Sequence, residues 1–309
     1  MAATRLKIAL CIELGVYLSV FGVLVSFSTI PLTTLLLLAV LTAFTLRMAV
    51  VLGSFVFAAL AQPRRPSLGA LDWIVMVIRE FLGLLRFEHL IRWDLKAPPG
   101  PIRVDAPLLV LLHGTYCSAA VWQPIVRDLE ASTGCGVWAP DIAPTDVDLS
   151  TQGLCFARHL EQATAAKPER EVIVVAHSLG GLIARLYLSR RLGAVPIRKL
   201  ICLGTPHEGT LSAKLLSSRI GHDMRPGSSV LAELGSAPPC TATEIVSYYS
   251  EHDNLIIPAA SARLAGVRSV AVSGIGHISM IYSRALFELL VREIRAATTL
   301  GDSAARQRQ

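Results

Sequence analysis

The chain has 309 residues, of which 52% are hydrophobic and 17% are charged, with a formal net charge of +6 and a mean hydropathy of +0.53. Globular domains usually carry about 25% charged residues, so this composition excludes a disordered chain and also one ordinary soluble domain. No period recurs, which excludes collagen-like, coiled-coil and repeat architectures. No aromatic-interleaved basic stripe or nucleic-acid motif occurs, so a nucleic acid is not expected as a partner.

The apolar excess lies near the N-terminus, where residues 8–60 contain only two charged side chains, Glu13 and Arg47. About 20 apolar residues cross the hydrocarbon core of a bilayer, so residues 8–30 and 32–61 are each long enough. Pro31, within a short polar stretch, indicates the turn between two helices. We therefore predict a transmembrane helical hairpin over residues 1–62. A cleavable signal peptide is the alternative, but its apolar region spans only about 7–15 residues.

Basic residues flank the predicted hairpin on both sides. Arg5 and Lys7 precede it, and Arg64 and Arg65 follow it, whereas the connecting turn is uncharged. The positive-inside rule therefore predicts a two-pass protein of the inner membrane whose remaining residues face the cytoplasm. In that reducing compartment the six cysteines are expected to remain thiols, namely Cys11, Cys117, Cys135, Cys155, Cys202 and Cys240.

The two intramembrane charges are placed symmetrically about the turn. Glu13 lies 17 residues before Ile30 and Arg47 lies 17 residues after it, so antiparallel helices bring both to one depth. Such charges cost about 2.5–3.5 kcal/mol on insertion scales and usually face a partner. We predict a Glu13–Arg47 pair; separate snorkelling of each side chain to the interface is the alternative.

Residues 63–100 are predicted to form an amphipathic helix and a linker. Apolar residues within 67–93 recur at helical spacing, at Leu71, Ile74, Val75, Ile78, Leu82 and Leu85. This helix either lies on the membrane surface or packs on the following domain. The proline-rich stretch 97–101 is the linker.

Beyond the linker, short apolar runs alternate with helical stretches. The predicted strands are 108–112, 136–139, 172–176, 200–203, 244–249 and 267–272, and the predicted helices are 122–132, 154–166, 179–192 and 283–297. This alternation is typical of an α/β domain, a mostly parallel sheet with helices on both faces. We assign it to residues 101–297, followed by a polar tail at 298–309.

The most specific local motif is VIVVAHSLGG, residues 172–181. Ser178 follows an apolar strand and precedes a helix, as a nucleophile elbow requires. The sharp turn needs small residues two positions on either side, and Ala176 and Gly180 supply them. The motif predicts Ser178 as a nucleophile; a serine serving only the turn is the alternative.

A serine nucleophile needs a base, here a histidine, and an acid that orients it. In α/β domains with a nucleophile elbow the chain order is serine, acid, histidine. Asp253 comes just after the predicted strand 244–249, with Glu251 as the fallback. His277 lies in a glycine-rich loop between the last strand and the last helix. Three other histidines are alternative candidates for the base: His207, His222 and His252. His207 is expected to bond within its own turn. His252 neighbours the acid, but it would also suit a solvated position without a catalytic role.

A tetrahedral intermediate also needs two backbone N–H donors. Leu179, directly after the nucleophile, is one candidate, and Thr115, in the turn after the first strand, is the other. His113 and Gly114 shape that turn, although simple packing would also account for His113. Cys117 lacks an elbow and is interpreted as a small apolar filler. The chemistry requires no metal or cofactor, and no ligand cluster is seen in the sequence.

Residues 107–290 resemble bacterial triacylglycerol lipases and esterases of the α/β-hydrolase superfamily, and are most similar to small Bacillus-type lipases. The similar stretches are LLHGT, VIVVAHSLGG, LGTPHEGT, YYSEHDNLIIP and GIGHISMIYS. The resemblance implies an α/β-hydrolase fold, a triad of Ser178, Asp253 and His277, and Thr115 with Leu179 as oxyanion donors. It leaves a structural calcium open, since some related lipases hold one.

The chain departs from these lipases in its N-terminal hairpin and in residues 207–243, which are longer than in the minimal members. We expect the longer stretch to form short helices that cap the acyl pocket, or else a packed surface insertion. The predicted function is that of a serine hydrolase in a bacterial inner membrane, with the bilayer as partner and hydrophobic acyl esters as substrates. Acyl transfer or thioester cleavage on the same triad is the alternative, and so is an inactive membrane scaffold.

Overall fold

The computed structural model describes residues 31–62, 65–92, 105–142, 147–237 and 241–306, together with separate positions between 8 and 26. Most of the predicted first span, residues 8–30, lies outside the described residues. The same holds for the predicted linker at 97–101 and for Cys240. The described cysteines are thiols.

Six parallel strands form one sheet in the order β2-β1-β3-β4-β5-β6. Their bounds are β1 Leu108–Leu112, β2 Gly136–Trp138, β3 Val172–His177, β4 Ile197–Leu203, β5 Glu244–Ser250 and β6 Arg268–Val272. Each predicted strand is present. β4 begins three residues earlier than predicted because Ile197 and Lys199 pair with the start of β3.

Alternate side chains of the central strands enter two apolar layers, as expected of a sheet that is buried on both faces. Leu108, Val110 and Leu112 face α4 Leu149–Thr164 and α5 Leu179–Arg190, whereas Leu109 and Leu111 face α3 Gln123–Thr133 and α8 Arg284–Arg306. A 3-10 turn at Ala119–Trp122 precedes α3. α8 continues to Arg306 and so includes most of the predicted polar tail at 298–309.

Residues 207–243 form short helices, as predicted. They are a 3-10 turn at Leu211–Leu215, α6 at Arg219–Asp223 and α7 at Ser229–Ser236. Their apolar side chains belong to the same buried layer as those of α4 and α5. These side chains are Ile220, Met224, Val230, Leu231 and Leu234. The insertion therefore contributes side chains to the core.

In the described part of the chain, α1 at Leu32–Ala61 and α2 at Ala70–Arg92 precede the sheet. They pack on each other through a buried cluster of Val51, Phe55, Met76, Val77 and Phe81. Within the described residues, α1 is the one helix long and apolar enough to cross a membrane, a property that a signal sequence near the N-terminus shares.

The predicted pair of Glu13 and Arg47 is present. Arg47 Nη1 and Nη2 donate to Glu13 Oε1 and Oε2 at 2.8 and 2.9 Å, which is a bidentate arrangement. Arg47 Nε donates to Glu88 Oε2 of α2 at 2.7 Å, a contact that the sequence did not predict. Tyr17 donates its hydroxyl to Glu13 Oε1 at 2.7 Å. The prediction of a Glu13–Arg47 pair is confirmed, and the pair extends to α2.

Of the two expectations for the amphipathic helix, packing on the domain is observed. Ile91 of α2 is buried in the layer against the sheet. The opposite face of α2 exposes large apolar side chains to solvent, namely Leu71, Trp73, Ile74, Ile78 and Leu82. A membrane surface remains a prediction for that exposed face.

Candidate active site

The candidate residues gather where the chain order of the sheet reverses. From β1 the chain first forms β2 on one side and then β3 on the other, so β1 and β3 flank a switch point. Loops at the carboxyl ends of parallel strands diverge there and leave room for a ligand. Thr115 follows β1 and Ser178 follows β3, so the topology brings both to this edge.

Ser178 lies in a strained turn between β3 and α5. Its φ of 55° and ψ of −123° place a non-glycine residue in a region that L-residues rarely adopt. The Ser178 amide donates to Leu203 O at 2.8 Å, which fixes the turn against β4. A Cβ atom on Gly180 would lie 2.8 Å from the carbonyl oxygens of Leu112 and His113. The close approach of helix and strand therefore requires glycine at 180, the position that the motif indicated.

Asp253 and His277 form a buried hydrogen-bonded pair. His277 Nδ1 lies 2.8 Å from Asp253 Oδ2, and the two side chains are 5% and 1% exposed. Asp253 Oδ1 accepts from the amides of Leu255 and Ile256, each at 2.8 Å, so both carboxylate oxygens are held. Burial disfavours the imidazolium, but the negative charge and hydrogen bond of Asp253 outweigh it and raise the pKa of His277.

The fallback acid lies in a different environment. Glu251 Oε2 accepts from the Ser273 hydroxyl at 3.1 Å, at an exposed position. Asp253, and not Glu251, is therefore the acid that contacts the His277 imidazole.

The His277 ring lies beside the turn that carries Ser178. A Cβ atom on Gly204, which follows Leu203, would be 3.3 Å from the ring and 3.4 Å from Asp253 Oδ2. The ring of His177 is 4.7 Å from that of His277, centroid to centroid, and His177 Nε2 is 3.1 Å from His277 O. In the described part of the chain, no hydrogen bond joins the Ser178 hydroxyl to His277. Such bonds are often longer in a site without substrate and tighten on binding.

Thr115 lies in a tight turn closed by a 3.4 Å hydrogen bond from Cys117 N to Gly114 O. Tyr116, next in this turn, has a φ of 54°. A Cβ atom on Gly114 would be 3.0 Å from Ser178 Cβ, so the turn lies against the elbow. Leu179 is the first residue of α5, where a backbone N–H has no partner within the helix. The turn and the helix start thus adjoin Ser178, the arrangement that an oxyanion hole needs.

His113 connects the loops that follow β1 and β2. Its Nε2 accepts from the Ile142 amide at 3.1 Å, so Nδ1 carries the proton and donates to Gly114 O at 3.0 Å. Burial lowers the pKa of His113, which keeps the ring neutral in this bridging role. Its contribution is therefore more specific than simple packing.

Cys117 is buried, and burial raises the pKa of its thiol to about 12. A thiol of that pKa remains protonated at neutral pH and is a poor nucleophile. This agrees with its interpretation as a filler.

The competing histidines take part in other contacts. The His207 side chain was expected to bond within its own turn, but it bonds to Arg185 at 3.3 Å and to Ser247 at 3.2 Å. Burial and the Arg185 charge lower the pKa of His207 well below its ordinary value. His222 Nδ1 lies 3.2 Å from Arg225 Nη1 on the surface. Both lie on the insertion rather than beside Asp253.

His252 is not solvated, contrary to one expectation, but is 5% exposed. Its Nε2 lies 3.0 Å from Pro66 O, and its Nδ1 accepts from the Gly274 amide at 3.3 Å. His252 therefore joins the segment between α1 and α2 to the loop that carries His277.

Two further residues at the site, Glu80 and Asn254, are not indicated by the sequence motifs. Glu80 of α2 accepts from the amides of Ile278 and Ser279 at 2.9 and 2.8 Å, and Asn254 Oδ1 accepts from the His277 amide at 2.9 Å. Burial raises the pKa of Glu80, although the two amide donors oppose that shift. One signal was available for Glu80, a charge on the same helical face as Met76 and Val77. The long-range partner itself is not visible in the sequence.

No metal centre is indicated by the residues that the structure describes, since none of their His, Cys, Asp and Glu side chains form a group of three or more able to hold an ion.

Comparisons with known proteins agree with the architecture. The sequence model of the alpha/beta hydrolase fold matches residues 107–220. The mature form of a lipase from Bacillus licheniformis is similar in structure, with a TM-score of 0.56 and 19% identity, over 64% of this chain and 95% of that one. Lipase B of Aspergillus fumigatus is similar with a TM-score of 0.51 and 17% identity, over 63% of this chain and 54% of that one. No curated protein sequence matches. The chain thus has the α/β hydrolase fold, and its structural neighbours include lipases.

Proposed function

We propose that the protein is a membrane-anchored serine hydrolase that cleaves hydrophobic carboxylic esters through an acyl-enzyme. The observation that carries this proposal is the buried Asp253–His277 pair beside the strained turn of Ser178. The lipase neighbours support an ester substrate, because they share the fold that surrounds these residues.

In this mechanism, the Ser178 hydroxyl oxygen attacks the acyl carbonyl while His277 Nε2 takes its proton. Asp253 holds the opposite nitrogen and stabilises the imidazolium. The amides of Thr115 and Leu179 stabilise the oxyanion, His277 returns the proton to the leaving alcohol, and the ester bond breaks. Water, deprotonated by His277, then attacks the acyl-enzyme. The bond from the acyl carbon to Ser178 Oγ breaks as His277 returns the proton to Oγ, which releases the acid and regenerates Ser178.

The test compares the full-length protein in detergent with Ser178→Ala and with a control, Ser236→Ala, which removes a hydroxyl from exposed α7. Ser178→Ala should abolish hydrolysis of short nitrophenyl esters and labelling by a fluorophosphonate, whereas Ser236→Ala should keep both. Retained turnover in Ser178→Ala would end the proposed mechanism. A wild-type protein that neither labels nor turns over would indicate an inactive scaffold.

A substrate panel separates the related activities, which share the triad. Esters, phospholipids and thioesters are offered with and without an acceptor alcohol. We expect esters with apolar acyl chains to be hydrolysed fastest. Preferred cleavage of thioesters, or transfer of the acyl group to the alcohol, would replace ester hydrolysis as the function.

We propose further that residues 1–62 anchor the chain, with the remaining residues on the cytoplasmic side of the inner membrane. Several large apolar side chains of α1 are exposed, including Leu36, Leu37, Val40, Leu41, Val50 and Leu60. α2 also exposes large apolar side chains. A cavity of about 720 Å³ beside it is lined by Arg79, Arg86 and Arg284, which suits anionic lipid head groups. The Glu13–Arg47 pair supports two adjacent spans, since it neutralises both intramembrane charges.

The anchoring is tested on the full chain with a reporter fused to its C-terminus. We expect the protein in the membrane fraction after alkaline extraction, with a reporter that is active only in the cytoplasm. Activity restricted to the periplasm would overturn the orientation. Recovery as a shorter, cleaved chain in the soluble fraction would indicate a signal peptide instead.

The catalytic domain, residues 101–297 in this proposal, includes a cap over the acyl pocket formed by 207–243. The insertion reaches the oxyanion turn: Met224 Sδ lies 3.5 Å from Thr115 Oγ1, and Ser218 Oγ lies 2.6 Å from the Tyr116 hydroxyl. Because the insertion is part of the core, a point substitution tests it better than a deletion. Met224→Ala should change the preference for acyl chain length, whereas the control Val230→Ala, in the same insertion, should not. Equal preferences in both variants would contradict the cap.

A further inference from the structure

The loop that carries His277 is held by side chains from outside its own strand and helix. Three consecutive amides donate to them: His277 N to Asn254 Oδ1, Ile278 N to Glu80 Oε1 and Ser279 N to Glu80 Oε2, at 2.8–2.9 Å. The last two amides begin the 3-10 turn Ser279–Tyr282, where backbone N–H groups have no partner within the turn. The Glu80 carboxylate satisfies both amides at once and fixes the position of the turn.

Glu80 is completely buried. A buried carboxylate is costly unless it is paired or hydrogen-bonded. In the described part of the chain no lysine or arginine forms an ion pair with Glu80, so its partners are the amides of the His277 loop. A neutral oxygen acceptor could also bond to these two amides, whereas a carboxylate in addition places negative charge near the His277 imidazole.

Gly276 makes this contact sterically feasible. A Cβ atom at position 276 would overlap Glu80 Oε2 and Cδ. The glycine directly before His277 therefore allows the carboxylate to reach the loop. This gives a physical reason for one glycine of the GIGH stretch.

The loop of the acid is connected to the N-terminal segment as well. Asn254 Nδ2, next to Asp253, donates to Ser54 Oγ of α1 at 2.8 Å. The Ala259 amide donates to Gln62 Oε1 at 2.6 Å. The two residues of the first contact are 200 positions apart along the chain, and those of the second are 197 apart. The loops of the acid and the base are therefore joined to α1 and α2.

We propose that Glu80 is a positioning residue for the catalytic base: it holds the 277–279 loop so that His277, bonded to Asp253, presents Nε2 to Ser178. The proposal rests on the proposed function and adds α2 to the catalytic unit. The charged or titratable groups that face the His277 ring are then Asp253 at 2.8 Å, the His177 ring at 4.7 Å and Glu80 behind the loop.

The experiment uses the full-length protein in detergent with three variants. Glu80→Gln keeps one acceptor oxygen but turns an NH₂ group toward an amide donor, and Glu80→Ala removes both acceptors. The control is Met76→Ala, which shortens a buried side chain of α2 in the cluster with α1. For each variant, kcat and KM for a short nitrophenyl ester, the rate of fluorophosphonate labelling, and the melting temperature are measured.

A misplacement of about 1 Å in a catalytic group can cost about 100-fold in rate. We expect kcat to fall about 10-fold in Glu80→Gln and about 100-fold in Glu80→Ala, with KM within about twofold of wild type. Met76→Ala should keep the wild-type kcat per labelled site, even with an equal loss of melting temperature. The acidic limb of the pH profile should move to lower pH in Glu80→Gln, because losing a nearby negative charge lowers the pKa of His277.

The outcomes separate the two proposals. Wild-type kcat and an unmoved acidic limb in Glu80→Gln would overturn the positioning role while leaving the proposed function intact. An equal loss of kcat in Met76→Ala would also overturn it, because the effect would then be one of stability. If Glu80→Ala does not fold, Glu80→Gln decides alone. A wild-type protein without labelling or turnover would refute the proposed function, and the role of Glu80 with it.

Discussion

Replacing Gly180 by alanine tests the close contact of helix and strand beneath the nucleophile. The added Cβ would lie 2.8 Å from two backbone carbonyl oxygens, of Leu112 and His113, and 3.0 Å from Leu112 Cβ. Cβ atoms essentially never come within 3.0 Å of heavy atoms from residues that are distant along the chain. These oxygens belong to β1 and to the start of the oxyanion loop, so relief requires α5 to move away from β1.

Overpacking of this kind costs about 1–3 kcal/mol, and more where the backbone must shift. Because the new methyl group would meet backbone oxygens rather than the end of a flexible side chain, we expect Gly180→Ala to lower stability by about 3 kcal/mol. For a domain of about 200 residues this is a fall of roughly 6–12 °C in melting temperature. Movement of α5 also displaces the Leu179 amide, so kcat should fall by about 100-fold or more.

The matched control is Gly235→Ala in α7, where a new Cβ meets no atom within 4 Å. Alanine is the better helix former, so this variant should be as stable as wild type or more so by up to about 1 kcal/mol. Melting is followed by circular dichroism in detergent, and kcat on a nitrophenyl ester. A Gly180→Ala protein that melts and turns over like wild type would refute the close approach of α5 to β1.

Four other substitutions probe three sets of charged groups. Asp253→Asn should lower kcat by about 10³–10⁴-fold. Because Asp253 raises the pKa of His277, wild-type activity should fall as pH drops below that pKa, and the acidic limb of the pH–activity profile should move to lower pH in the variant. An unmoved acidic limb would exclude Asp253 as the partner of His277. Burial raises the pKa of Glu293, but hydrogen bonds from Arg268, Lys199 and Tyr248 outweigh it and lower the pKa to about 2. A lowered pKa of Glu293 stabilises the fold above pH 4.5, and this stabilisation is lost as pH falls toward 2. Glu293→Gln should therefore lower the free energy of unfolding by about 2 kcal/mol at pH 6 and by little near pH 2, as measured by denaturant titration. An equal loss at both pH values would contradict the hydrogen bonds assigned to Glu293. Glu13→Gln and Arg47→Gln should be non-additive in melting temperature, because each substitution alone removes the same bidentate contact. Full additivity would exclude an energetic pair.

Much of the fold and of the candidate site was predictable because the signals are local. The strand before Ser178 starts with four buried β-branched residues, and the helix after it has glycine at its second and third positions. Strand, turn and helix can therefore be recognised within ten residues. The chain order of the fold then restricted the acid and the base to the residues downstream. Asp253 and His277 were selected by their positions after predicted strands, and they form the hydrogen-bonded pair that the structure contains.

Element ends were predicted less well, for a physical reason. The start of β4 depends on pairing with β3, which adds Ile197 and Lys199 to the sheet. Lys199 is charged yet almost fully buried, because Glu244 and Glu293 from two other elements neutralise it. A local pattern assigns such a residue to the surface.

The order of polar and apolar residues along the chain was enough to determine the alternation of strands and helices, the elbow, and the apolar N-terminal helix, since each depends on neighbours within about one element. The tertiary structure alone decided how α1 and α2 relate to the site. Glu80 reaches the amides of residues 278 and 279, and Ser54 reaches Asn254, across nearly 200 residues of chain. Contacts between such distant residues arise only when the chain folds, because no local periodicity encodes which buried carboxylate will meet which unpaired amide.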